Sequence, residues 1–171
     1  MIRNKLLAAQ AIIEKVVEWA GVVTCFLAVP LCLLVVFEVV LRIVGTPTIW
    51  SFEVVLMLFG AHYFLLAAFG LKYKSHAVID IFTAHASRKT NKILQLICYI
   101  LLFFPFVIGI FYLSIPYALT AWACFETSWS LWGQPLYIVK SVMPIALFLL
   151  IIQGIAEVIK IIYPKSEEVK Q

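Results

Sequence analysis

The sequence predicts an all-α integral membrane protein with four transmembrane helices, further amphipathic interfacial helices and both termini in the cytoplasm. Three observations carry this. Of 171 residues, 64% are hydrophobic and only 13% charged, whereas soluble domains average about half apolar and a quarter charged. The apolar residues gather into four runs, each long enough for the roughly 20 residues a bilayer core requires. Finally, eleven of the thirteen Lys and Arg fall in the N-terminal segment, the middle loop and the C-terminal end, alternating with the apolar runs. The positive-inside rule places those three regions on the cytoplasmic side. The formal charge of +4 needs no nucleic acid, because it sits at helix ends, where anionic headgroups hold it.

The whole chain, 1–171, reads as one membrane domain. Residues 2–19 place Ile2, Leu6, Ala9, Ile13, Val16 and Val17 at helical spacing with Arg3, Lys5, Gln10, Glu14 and Lys15 between them. That pattern predicts an amphipathic surface helix running into the first span. Glu14, Lys15 and Glu18 interrupt what would be the apolar core of a signal peptide. Span 1 covers about 20–44, and Gly45-Thr46-Pro47-Thr48 turns the chain. Span 2 covers about 52–71, with Thr48 or Ser51 as N-cap and Glu53 in the first turn against the helix dipole. Residues 72–92 form a cytoplasmic loop with Lys72, Lys74, Arg88, Lys89 and Lys92 and a short interfacial helix over 76–88. Span 3, about 93–123, is roughly 46 Å long at 1.5 Å per residue and must tilt, kink or project, with Pro105 and Pro116 as kink sites. Span 4 covers about 136–162. The connection before it carries Trp122, Phe125, Trp129, Trp132 and Tyr137, an aromatic belt at the outer surface.

Few residues offer chemistry. Glu38 and Arg42 lie four apart on one face of span 1, the acid N-terminal, the better order for a pair. Inside a membrane such a pair is either an ion or proton site or a structural tie, since either charge alone is costly there; the absence of a second carboxylate at clearly the same depth favours the tie. Glu126 and Lys140 flank the outer start of span 4 and pair with each other or with a partner protein. Glu157 and Lys160 read as a surface pair. His62 is the one histidine within a span, and a b-type haem usually takes two axial ligands. Cys25, Cys32, Cys98 and Cys124 show neither CxxC nor metal-like spacing and read as packing residues. With no Walker loop, nucleophile elbow or dinucleotide turn, the expectation is a non-enzyme without catalytic residues, metal or cofactor. The lack of an inverted repeat with paired broken helices points to a partner subunit.

Certain residues bear a family resemblance. Arg42, Trp50-Ser51-Phe52-Glu53 and His76-Ala77-Val78-Ile79-Asp80 resemble the small membrane subunit (Q, or DctQ-like) of TRAP transporters, the tripartite ATP-independent periplasmic transporters. The His–Asp spacing fits, with Ala77 where the family has Val directly after the His. Leu58-Phe59-Gly60-Ala61, Phe103-Phe104-Pro105, Glu126-Thr127-Ser128, Trp132, Pro135-Leu136-Tyr137, Lys140, Pro144 and Gln153-Gly154-Ile155-Ala156-Glu157 are similar to recurring blocks of one branch. The similarity spans roughly 16–160.

The resemblance implies a scaffold subunit packed beside a large membrane subunit, which holds the substrate and sodium sites, with a periplasmic binding protein delivering small organic anions such as 2-oxo or hydroxy acids. It places the protein in the bacterial inner membrane. On this basis Glu38, Arg42, Trp50 and Glu53 are candidates for a subunit interface or structural ion pair, His76 and Asp80 for a loop motif, and Glu126, Trp129, Trp132 and Lys140 for periplasmic docking. Two other classes compete: a haem- or quinone-binding respiratory anchor, motivated by His62, and a stand-alone four-span channel, motivated by Glu38–Arg42.

Overall fold

The computed structural model describes residues 2–73 and 88–163. The candidate loop motif, His76 and Asp80, and the interfacial helix expected over 76–88 lie outside the described residues, apart from Arg88. Among the described residues, four helical stretches are long and apolar enough to cross a membrane, and the chain is a multi-pass all-α membrane protein.

Helix α1, Ile2–Val44, joins the amphipathic segment to the first span without a break. Its buried stripe is Gln10, Val17, Gly21, Thr24 and Glu38, a spacing close to the 3.5-residue seam of packed helices. Gly45 ends it at φ +86°, with Gly45 N–H donating to Arg42 O at 3.2 Å and Thr46 N–H to Leu41 O at 2.9 Å. This is the two-bond glycine cap expected where a helix must stop sharply. Helix α2, Ile49–Lys72, follows after a four-residue turn.

Helix α3, Arg88–Ile97, passes through a wider π-turn, Cys98–Phe103, directly into α4, Phe104–Ala123. Pro105 supplies the reason: its ring lacks an N–H and clashes with the carbonyl four residues back, so the helix widens just before it. The widened turn lays the Phe103 ring over Gly154, where a Cβ would come within 2.4 Å of Phe103 Cε1. The α4 helix ends in the same kind of cap as α1, with Phe125 in the left-handed position at φ 46°. Such a φ is unfavourable for an aromatic residue; the Phe125 ring sits edge-on against Tyr137, with centroids 5.9 Å apart.

Helix α5, Leu136–Ile162, is the centre of the bundle. The α1, α2 and α5 helices touch one another as a three-helix core, while α4 packs on α5 through Val107, Ser114, Ala118 and Ala121. Small residues at such seams let backbones approach closely where hydrocarbon surrounds the protein. The Glu14–Lys160 and Glu18–Lys72 contacts mark one end of the bundle, the terminal end; the 45–48 turn and the 124–135 loop lie at the other.

Candidate functional site

Among the described residues, most of the buried polar side chains gather at the two ends of the bundle; Thr24 and Ser114 lie between them. At the loop end, Glu38 sits beneath the surface and Arg42 above it, their side chains 7% and 57% exposed. Arg42 Nε–H donates to Glu38 Oε1 at 3.0 Å. Thr48 Oγ1–H donates to Glu38 Oε2 at 3.0 Å, and the Ser51 hydroxyl lies against the same oxygen and against Thr48. Thr48 holds the N-cap position of α2, with extended φ −109° and ψ 138°, but makes no side-chain cap bond. Its hydroxyl serves Glu38 instead. The tie between α1 and α2 is therefore carried by hydroxyls on the carboxylate, a partner set that the i, i+4 spacing of Glu38 and Arg42 does not disclose. Trp50 stands half-exposed beside Phe37, centroids 6.2 Å apart.

Glu53 falls beyond the first turn of α2 and is buried, and its Oε2 has no hydrogen-bond partner among the described residues. A surface acid answering the helix dipole does not describe it. Ser51 is fully buried, so Ser51→Ala removes a donor from a buried carboxylate. A hydrogen bond to a charged group contributes about 2 kcal/mol, and a loss of that order is expected in equilibrium unfolding of the purified chain in mixed micelles; an unchanged curve would show that Thr48 suffices.

Also at the loop end, Lys140 Nζ–H donates to Glu126 Oε2 at 2.5 Å and lies 4.1 Å from the Tyr117 ring centroid. Trp122 Nε1–H donates to Ser141 Oγ at 2.6 Å, and its ring packs on Tyr137 at 4.6 Å. These contacts clamp both feet of the 124–135 loop. Within it, Ser128 N–H donates to Gln134 O at 2.8 Å and Gly133 turns the chain at φ +65°. The clamped loop presents Trp129, fully exposed, and Leu131, 93% exposed. Glu126 and Lys140 thus form the base of the loop, Trp132 lies half-exposed on its flank, and Trp129 with Leu131 forms the tip. Leu131 escaped the sequence reading because a lone Leu between aromatics carries no signal there.

At the terminal end, Lys160 Nζ bridges Glu14 Oε1 at 2.9 Å and Glu157 Oε1 at 2.7 Å. Gln153 Nε2–H donates to Glu157 Oε1 and Gln10 Nε2–H to Glu14 Oε1, both at 2.9 Å. Lys72 Nζ–H donates to Glu18 Oε2 at 2.5 Å and to the Glu14 carbonyl at 3.2 Å. One network therefore joins α1, α2 and α5. This corrects the expectation of a weak surface pair at Glu157–Lys160, since Glu157 is 3% exposed and Gln153 wholly buried. Residues 153, 157 and 160 share a single face of α5 beyond its long apolar middle, and intramembrane polar groups turn inward.

His62 Nδ1 lies 3.0 Å from the Thr24 carbonyl oxygen and ties α2 to α1. The four cysteines are free thiols on the outer surface.

These features define a multi-pass membrane bundle whose intramembrane charges join helix to helix. Residues 31–162 match the family model of the DctQ component of tripartite ATP-independent periplasmic transporters. The chain belongs to that family and is a TRAP transporter small permease subunit, a transporter component. No curated protein matches it.

Proposed function

We propose that this chain is the fixed scaffold of a sodium-coupled importer of small organic anions. It packs beside a large membrane subunit that holds the substrate and sodium sites, and it helps dock a periplasmic substrate-binding protein. It resides in the bacterial inner membrane with both termini cytoplasmic, an orientation supported by the distribution of Lys and Arg. The observation that carries the scaffold role is that, Glu53 apart, the buried and part-buried carboxylates within the spans are tied to groups of the same bundle: Glu38 to Arg42, Thr48 and Ser51, and Glu14 and Glu157 to Lys160. Ties at both ends of the bundle resist relative motion of α1, α2 and α5, as a fixed element must, and leave apolar outer faces for a partner or lipid.

The test is a gentle-detergent pull-down of the tagged chain from native membranes, with partners identified by mass. A stoichiometric, larger multi-span protein is the expected result. Recovery of this chain alone across several detergents would overturn the proposal.

The docking role is assigned to the tip of the 124–135 loop. Trp129→Ala is expected to lower sodium-driven uptake several-fold in reconstituted vesicles, at limiting binding protein, while the membrane complex stays intact and melts unchanged. Truncating an interface Trp commonly costs about 2 kcal/mol or more of binding, whereas this fully exposed side chain contributes nothing to the bundle. Unchanged uptake would remove the tip from the docking surface.

A further inference from the structure

Between α1 and α2 at the loop end lies a groove of about 200 Å³, lined by Val35, Glu38, Val39, Arg42, Phe52 and Val55. We propose that it is a phospholipid site: Arg42 binds the headgroup phosphodiester, and an acyl chain lies along the three valines.

The guanidinium carries the first part of the case. It has five N–H donors in a fixed fork, and only Nε–H is placed on an acceptor, Glu38 Oε1. The two Nη groups have no acceptor among the described residues. The side chain is more than half exposed and packs over the Phe52 ring, 5.6 Å from its centroid. A charged group with unmet donors is expensive beside hydrocarbon. A phosphate oxygen pair matches the fork and is accepted in bidentate fashion.

Depth and shape select an amphiphile over a free anion. Arg42 stands two residues before α1 ends at Val44, and Trp50 stands half-exposed at the same end, where interfacial aromatics meet headgroups. From there the groove follows one face of α1 through Val39 to Val35, about 10 Å toward the bilayer centre at 1.5 Å per residue. Apart from Glu38 and the Phe52 ring, the walls along that descent are aliphatic. Glu38 also lines the groove and offsets part of the guanidinium's charge, but its oxygens are engaged by Arg42 Nε–H, Thr48 and Ser51, which leaves the two Nη groups as the donors a phosphate would meet. A carboxylate from a partner protein would satisfy Arg42 but leave the valine walls unfilled. The inference rests on membrane insertion alone and stands apart from the transport role.

Native mass spectrometry of the full-length chain in mild detergent tests it, with phosphatidylglycerol and with diacylglycerol of the same chains as probes. The chain is expected to retain one phosphatidylglycerol and to bind diacylglycerol at least about tenfold more weakly, the scale of one charged hydrogen bond. Arg42→Gln, which keeps an amide donor for Glu38, is expected to lose phosphatidylglycerol by a similar factor. Val39→Trp fills the groove and is expected to lose it with Arg42 in place. Equal retention of the two lipids, or wild-type retention in either variant, would overturn the site. Release of a co-purifying membrane protein by Arg42→Gln, with lipid retention unchanged, would assign the guanidinium to a partner's carboxylate instead.

Discussion

Replacing Lys160 with methionine is expected to destabilise the terminal end of the bundle by about 3 kcal/mol, because it strips the cation from two carboxylates at once. The ammonium lies between Glu14 and Glu157, 2.9 and 2.7 Å from their oxygens. Among the described residues no other cation touches either carboxylate: Lys72 reaches the Glu14 backbone carbonyl and spends its charge on Glu18. Breaking a buried pair by removing one partner costs about 3–5 kcal/mol. The lower end applies, since Lys160 and Glu14 are each 21% exposed, while Glu157 is nearly sealed. Methionine keeps the volume, so the loss is electrostatic. Equilibrium unfolding in mixed micelles measures it, and Glu157→Gln added to Lys160→Met is expected to recover a large part by removing the stranded charge. Groups in one network couple by about 0.5–3 kcal/mol; strict additivity of the two substitutions, or a silent Lys160→Met, would show that solvent screens the cluster.

The four spans, their order and the turn at Gly45 were legible because hydropathy and glycine chemistry are local. Span 2 begins at Ile49 instead of about 52, and the helix of the third span begins at Arg88 instead of about 93, more than the one or two residues by which helix ends ordinarily differ, because the helix runs on past the apolar stretch that hydropathy marks. The polar ties were harder to read. The spacing of Glu38 and Arg42 announced a pair, but the hydroxyls that complete it come from another helix. The Gln153, Glu157 and Lys160 stripe was visible as a face, yet only the packing of α5 between α1 and α2 shows that the face turns inward. Gln10 looked like part of a wet surface in an amphipathic segment; it is 3% exposed because α1 stays against the bundle where Lys72 and Lys160 hold Glu14. Pro105 marked a kink, but a widened turn feeding Phe103 onto Gly154 follows from the match of a ring to a missing Cβ across two helices. Long-range complementarity of this kind leaves no periodic trace in one sequence.

Gly21→Val is expected to pry α1 from α2 and to destabilise the bundle by about 3 kcal/mol, the upper part of the usual 1–3 kcal/mol range for overpacking. A Cβ at Gly21 would fall 2.0 Å from Phe69 Cδ2 and 2.5 Å from Cγ. Those atoms lie toward the root of the ring, so spinning the ring about its axis leaves Cγ in the way. Phe69 also packs on Tyr73, with centroids 4.7 Å apart, which resists a wholesale swing. The helices must therefore separate, and the strain reaches the other ties of the same seam: the His62–Thr24 contact at 3.0 Å and the Lys72–Glu18 bond. The modest helical gain from replacing glycine, about 0.5–1 kcal/mol for alanine and less for a β-branched residue, does not offset this. Gly60 is the matched control. It lies on α2, and a Cβ there would meet nothing within 4 Å, so Gly60→Val is expected to melt like the wild type. Adding Phe69→Ala to Gly21→Val is expected to restore part of the loss by vacating the ring's volume. If Gly21→Val and Gly60→Val melt alike, the close approach of α1 and α2 at Phe69 does not set the stability of the bundle.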